Sequence, residues 1–223
     1  LLTAANPFFR PPPGTGTTYE YVDFRPDKLV GDDHFDQSYR VRTGNATAGL
    51  DVKLPGDFKA SVYGTFNWSR NDTFQPGINT TALAAAAAGT TAATALDPFG
   101  TGTSPAVVAA ILDNPTDFTN HQRTRIGAVK VDGPLADLPG GAIKVALGAE
   151  YRRETYDQRG SSGGVGFPED LKRNVQSLYG ELFVPIVGEG NASPMLRSLT
   201  LSFSGRYDHY SDFGSTTNPK VGL

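Results

Sequence analysis

The chain contains no cysteine, which removes disulfides, thiolate metal sites and cysteine nucleophiles together. A secreted eukaryotic domain commonly leans on disulfides, so their absence counts against one. An excess of charge of one sign is also missing. Lys and Arg number 20 against 23 Asp and Glu, a net charge of −3, and no basic field calls for nucleic acid. There is no apolar run of about 18 residues, so an ordinary transmembrane helix is excluded. Mean hydropathy is −0.31 and 19% of residues are charged, which fits neither a disordered chain nor a helical membrane protein. A membrane β-barrel leaves no long apolar run either, because lipid-facing and lumen-facing residues alternate. Leu1 to Pro7 carry no initiator Met, no basic segment and no long apolar core. They are not a signal peptide, and they predict a mature or interior start.

What is present is a rhythm of strands and turns, punctuated by 26 Gly and 16 Pro. The plainest strand spans 58–71. Phe58, Ala60, Val62, Gly64, Phe66 and Trp68 share one face, and Lys59, Ser61, Tyr63, Thr65, Asn67 and Ser69 share the other. A period of two makes one side apolar and one wet. Comparable strands are predicted at 17–25, 37–54, 123–135, 142–157, 173–186 and 198–210, with another beginning at Thr217. In 142–157, Ile143, Val145, Leu147, Ala149 and Tyr151 oppose Lys144, Glu150 and Arg152. In 198–210, Leu199, Leu201 and Phe203 oppose Ser202, Ser204, Arg206 and Asp208.

The connections fall into two sets. Tight turns occur at Leu54-Pro55-Gly56-Asp57 and Leu138-Pro139-Gly140-Gly141, with 187–197 on the same side. The opposite set holds 158–172 and a long insertion at about 72–122. That insertion contains an Ala-rich stretch, Asp97-Pro98-Phe99-Gly100, and a short helical run from Ser104-Pro105 to Asn114, with Ser as N-cap and Pro in the first turn. Long loops outside and short turns inside describe an up-and-down membrane barrel. Strands of roughly 12–16 residues exceed the usual ~5–6 of soluble sheets. Trp68, Tyr151, Tyr207, Tyr210 and Phe213 are candidate interface aromatics.

Gly148-Ala149-Glu150-Tyr151-Arg152-Arg153-Glu154, Ser177 to Ile186, and Leu199 to Leu223 resemble the middle barrel strands of TonB-dependent outer-membrane receptors. Asn6-Pro7-Phe8-Phe9 and Asp97-Pro98-Phe99-Gly100 are similar to that family too. The resemblance implies an all-β, antiparallel up-and-down transmembrane barrel of about 22 strands around an N-terminal plug. Residues 1–223 would supply about eight of those strands as a partial barrel domain, with 72–122 as a long, partly helical extracellular loop. It implies a non-enzymatic transporter in the outer membrane of a Gram-negative bacterium, taking up a scarce nutrient such as a ferric siderophore, cobalamin or oligosaccharide. Implied partners are outer-membrane lipid, the receptor's own plug, the TonB energy-coupling protein through that plug, and a small-molecule ligand such as a metal chelate. No cofactor, catalytic or metal site is implied, and no plug or energy-coupling box matches positions of this chain. Two other architectures stay open: a complete eight-stranded barrel with a structural or adhesive role, and a soluble β-sandwich binding module.

Other constellations read as structure. Gly160-Ser161-Ser162-Gly163-Gly164 fits the G-x-S-x-G spacing, but Val165-Gly166-Phe167-Pro168 after it cannot start the helix a nucleophile elbow requires. Asp32, Asp33, His34 and Asp36 offer oxygens and an imidazole for a hard cation, and a solvated loop is the simpler reading. His121 and His209 lie far apart, without zinc spacing. Five N-x-S/T matches, at Asn45, Asn67, Asn71, Asn79 and Asn191, follow from an Asn/Thr-rich composition. The expected ligand contacts are Phe74, Asp97 and Phe99, with the loop 158–172. The expected lumen lining is Lys144, Glu150, Arg152, Glu181, Arg206 and Asp208.

Overall fold

The structure, a computed structural model, describes residues 1–11 and 13–223, with Asp32 and Asp33 described by their backbone alone. Elements follow in chain order: β1 (Leu2–Thr3), β2 (Tyr19–Glu20), β3 (Ser38–Leu54), β4 (Phe58–Gln75), α1 (Thr80–Ala87), α2 (Pro105–Leu112), β5 (Thr116–Leu138), β6 (Gly141–Ser162), β7 (Val165–Gly166), β8 (Glu169–Val187), β9 (Leu199–Tyr210) and β10 (Gly214–Gly222). The chain divides into two compact units. One holds 1–41, 70–120 and 158–169, and the other 42–69, 121–157 and 170–223.

The long strands form one sheet in the order β10-β9-β8-β6-β5-β4-β3, with short β7 beside β6. Sequence neighbours are sheet neighbours, which is an antiparallel meander. The register joins Leu178 to Tyr207, Tyr179 to Arg206, Leu182 to Phe203 and Val184 to Leu201, so facing pairs match in character. On β10, Thr216 opposes Asp208 and Val221 opposes Phe203. The expected faces therefore hold across the sheet. Burial is inverted relative to a soluble protein: Leu147, Leu178 and Val62 are 60%, 62% and 57% exposed, whereas Ser177 and Asp208 are 2% and 5% exposed. In water such a surface would leave many large apolar side chains uncovered. Against hydrocarbon it is the expected lipid-facing band. A single sheet of this kind removes the β-sandwich alternative, which needs two packed sheets with apolar faces inward.

The first unit has its own small core, where Ala86, Leu96 and Ile111 are buried and Phe24, Leu29, Ile78 and Val107 pack against them. Both helices begin at side-chain caps. Asn79 Oδ1 accepts from the Ala82 N–H at 3.0 Å, and Ser104 Oγ accepts from the Val107 N–H at 3.4 Å with Pro105 following. Asn6, almost fully buried, donates through Nδ2 to the carbonyls of Ala87 (3.1 Å) and Leu96 (3.3 Å). Its Oδ1 accepts from the Phe8 N–H at 2.8 Å. The Asn6-Pro7-Phe8 segment is thereby fastened to the helical insertion.

Several boundaries differ from expectation. The strand expected at 17–25 shrinks to Tyr19–Glu20, which pairs with Leu2–Thr3 outside the large sheet. Phe24 turns into the helical core instead, so local β propensity yields to packing. The insertion spans 76–115 rather than 72–122, because β4 and β5 run further. Residues 158–172 are mostly strand: β6 reaches Ser162, and Gly163 and Gly164, at φ +55° and +80°, turn the chain back. Positive φ at both central residues is the tight hairpin geometry that glycine permits. The serine-glycine motif is thus a hairpin, and Ser161 Oγ donates to Asp117 Oδ1 at 2.8 Å.

Candidate functional site

The polar face of the second unit carries a chain of alternating charge. Arg206 Nε lies 2.9 Å from Asp208 Oδ1, and Arg206 Nη2 lies 3.6 Å from Glu150 Oε1. Glu150 lies 4.0 Å from Arg152, which sits 3.0 Å from Glu154. Glu154 Oε2 accepts from Arg173 Nη2 at 2.7 Å and from Nε at 2.9 Å, and Arg173 lies 3.8 Å from Asp212. The series runs Asp208–Arg206–Glu150–Arg152–Glu154–Arg173–Asp212 over β6, β8, β9 and the turn that follows β9.

Strand β8 lies between β6 and β9, so Arg206 reaches Glu150 over a neighbour. Ser177, small and buried on β8, makes the reach possible and joins the chain. It donates to Asp208 Oδ1 and accepts from Arg206 Nη2 at 2.9 Å. The Arg206 guanidinium also lies 5.7 Å from the Tyr179 ring. That ring lies over Gly148, where an added Cβ would sit 2.2 Å from a ring carbon, so any larger residue there has to displace the ring. Arg173 lies 5.7 Å from the Tyr210 ring, which stacks on Phe213 at 4.2 Å.

Of the residues expected on this face, Glu150, Arg152, Arg206 and Asp208 are brought together. Lys144 and Glu181 lie apart from them, exposed, lining a hollow with Lys130 and Asp132. Neither has an ion-pair partner among the described residues, whereas Lys130 and Asp132 pair at 3.0 Å. Arg173, Asp212, Ser177 and Tyr179 belong to the network but were not named from sequence. The alternation of β8 marks Ser177 and Tyr179 as polar-face residues, but the partnership depends on register.

The three loop candidates do not converge. Phe74 is exposed near the end of β4, not in the insertion. Asp97 is buried: its carboxylate accepts from the N–H groups of Phe99 and Gly102, both at 3.0 Å, and its own N–H donates to Thr103 Oγ1 at 2.8 Å. It shapes the turn and offers no oxygen outward. Phe99 is exposed, with the Arg10 guanidinium 5.0 Å from its ring.

The cation reading at 32–36 falls partly on Asp32 and Asp33, whose side chains lie outside the described residues. His34 packs edge-on against Phe35 at 5.5 Å. Among the described residues no group of three metal-ligating side chains converges. His121 Nδ1 contacts Asp157 Oδ1 at 3.1 Å, and His209 Nδ1 contacts Ser215 Oγ at 2.9 Å. Trp68, Tyr151 and Tyr207 stand exposed on the apolar face, as interface aromatics do. Tyr210 corrects that expectation, because it pairs with Gly214 and Val175 on the polar face.

No curated protein and no solved structure matches the chain. A sequence profile of the family described as TonB dependent receptor-like, beta-barrel, matches residues 2–223. The meander, its inverted burial and that match agree: the chain belongs to the β-barrel domain of the TonB-dependent receptor family, whose members are outer-membrane transporters and receptors of Gram-negative bacteria rather than enzymes.

Proposed function

We propose that this chain forms part of the wall of a receptor that imports a scarce nutrient, of the ferric siderophore, cobalamin or oligosaccharide class, with energy delivered by TonB through a plug. The carrying observation is the charged network on the polar face. Charges at this depth are costly unless they face water and one another. Here they are paired in series, with hydrogen bonds joining Arg206 to Asp208 and Ser177 at one end and Arg173 to Glu154 at the other. A lumen lined this way gives a polar solute a hydrated path and gives a plug a surface to bind.

Within that lumen, we assign Glu150, Arg152, Arg206 and Asp208 to holding the wall's inner surface in shape. Lys144 and Glu181 are the charges left for transient contact with plug or solute, since no ion pair occupies them among the described residues. On the outer side, exposed Phe74 and Phe99 are the ligand contacts, while Asp97 fixes the turn that presents Phe99. Edge strands β3 and β10 each have one neighbour in the sheet. Hydrocarbon does not tolerate an unpaired strand edge, so the sheet is best read as an arc of a larger barrel.

The test is uptake by cells carrying the receptor. Labelled ferric chelates, cobalamin and oligosaccharides are supplied separately, with and without TonB. One class should accumulate only when receptor and TonB are both present, and Lys144→Ala with Glu181→Ala should slow it. Uptake that ignores TonB, or accumulation of none of the classes, contradicts the proposal.

A further inference from the structure

At the end of the strands opposite the tight turns, the polar face of the second unit carries an aromatic stack. Tyr210, on β9, pairs with Val175 of β8 and follows Asp208 on the same face. Phe213, in the turn before β10, stacks on the Tyr210 ring with 25° between the planes. Phe213 is 58% exposed, so the stack keeps an open ring surface. The turn is fastened to β8 in both directions. The Ser211 N–H donates to the Asn174 carbonyl at 3.0 Å, and the Asn174 N–H donates to Ser211 Oγ at 3.0 Å. Gly214, at φ +97°, closes it. A surface held this way has little freedom to lose when a ligand arrives.

The charges around the stack are committed to one another. Arg206 contacts Asp208 and Glu150, Arg152 contacts Glu154 and Glu150, and Arg173 contacts Glu154 and Asp212. Each guanidinium thus meets two carboxylates, and the series holds one more carboxylate than guanidinium. An anionic chelate would meet excess negative charge and no arginine free to receive it. Toward the same end, β3, β4 and β5 of the second unit present an uncharged strip on this face: Asn45, Thr47, Thr65, Asn67, Gln122 and Thr124. Asn45 Nδ2 donates to Asn67 Oδ1, and the Thr47 and Thr65 hydroxyls bond at 3.0 Å, which sets these side chains side by side. Carboxamides and hydroxyls both donate and accept. The lysines without an ion pair among the described residues, Lys53, Lys144 and Lys220, lie toward the tight turns instead.

We propose that the Tyr210–Phe213 stack is a sugar-binding subsite, and that the solute taken up is a neutral oligosaccharide. The inference rests on the receptor reading and narrows its solute classes to one. A pyranose presents a flat face of C–H groups, which suits the negative face of an aromatic ring, and a rim of hydroxyls that donate and accept. Arg173 stands 5.7 Å from the Tyr210 ring and carries Glu154 and Asp212, so donors and acceptors border the stack. A neutral solute binds there without having to neutralise any charge. The uncharged strip then offers its hydroxyls further partners along the wall.

Cells carrying the receptor are given labelled neutral hexasaccharides of glucose, xylose, mannose and galactose, alongside ferric chelates and cobalamin, with and without TonB. One hexasaccharide should accumulate only with TonB. Its sulfated form should compete at least about 10-fold less well than the unlabelled neutral sugar. Phe213→Ala should raise the half-saturating concentration about 10-fold and leave the maximal rate within about twofold of wild type, and Phe213→Trp should restore it. Tyr207→Leu, which removes an aromatic from the opposite face of the same strand, should stay within about twofold of wild type. If Phe213→Ala does not reach the cell surface, Phe213→Leu, which keeps bulk without the ring, decides by the same shift. TonB-dependent uptake of a ferric chelate or cobalamin in place of every sugar would overturn this inference and leave the receptor reading standing. TonB-dependent uptake of none of the classes would overturn both. Equal competition by the sulfated sugar, or unchanged half-saturation without the Phe213 ring, would also overturn the inference.

Discussion

Arg206 serves two carboxylates and a serine at once, so its removal leaves Asp208, nearly buried, without its cation. Arg206→Gln should cost about 1–3 kcal/mol in urea unfolding from vesicles, since hydrogen bonds to charged groups are lost. Asp97 acts on a smaller scale, and its two accepted N–H bonds exist only within its turn. Asp97→Ala should speed hydrogen exchange at Phe99 and Gly102 while leaving the strand amides unchanged. Equal acceleration in the strands would show that Asp97 supports more than the turn. Ile111, on α2, is fully buried in the small core of the first unit. Ile111→Ala should loosen that core by about 2–5 kcal/mol, read as earlier proteolysis of 76–115 than of the sheet.

Each long strand presents two solvents to two faces, and substitutions should follow that division. Leu178→Arg places a cation in the apolar band and should destabilise the folded chain by about 2–4 kcal/mol in a bilayer. Lys144→Leu, on the polar face, should change stability by less than about 0.5 kcal/mol. If the two substitutions cost the same, the faces are not distinguished by solvent. The faces were legible in the sequence because the strand period is two and the apolar residues keep to it from Phe58 to Trp68 and from Ile143 to Tyr151. The caps at Asn79 and Ser104 were legible only in part: Ser104-Pro105 announces a helix, while Asn79 opens one in an Ala-rich stretch with little amphipathic signal. The extensions of β5 to Thr116 and β6 to Ser162 were not legible. Their ends carry polar residues on both faces, as in Thr116 bonded to Ser162, so no alternation marks them. The Arg206–Glu150 link was also hidden, because it joins strands that are not adjacent.

At the scale of the whole molecule, the fold is defined by the reversal of inside and outside in its sheet. Hydrophobic side chains lie outward because hydrocarbon covers them, and the ion-pair series from Asp208 to Asp212 lies inward because water does. The absence of cysteine makes this directly measurable, since every introduced cysteine is unique. Leu147→Cys, Leu178→Cys and Leu182→Cys, with Lys144→Cys and Glu181→Cys, are each labelled with a fluorophore after the chain is folded into a bilayer. Each is then exposed to a quencher carried on lipid tails and to iodide in water. The three leucine positions should be quenched from the lipid and shielded from iodide, and the two charged positions should show the reverse. Quenching of the leucine positions by iodide, or of Lys144 and Glu181 from the lipid, would contradict the assignment of the faces and the receptor function built on it.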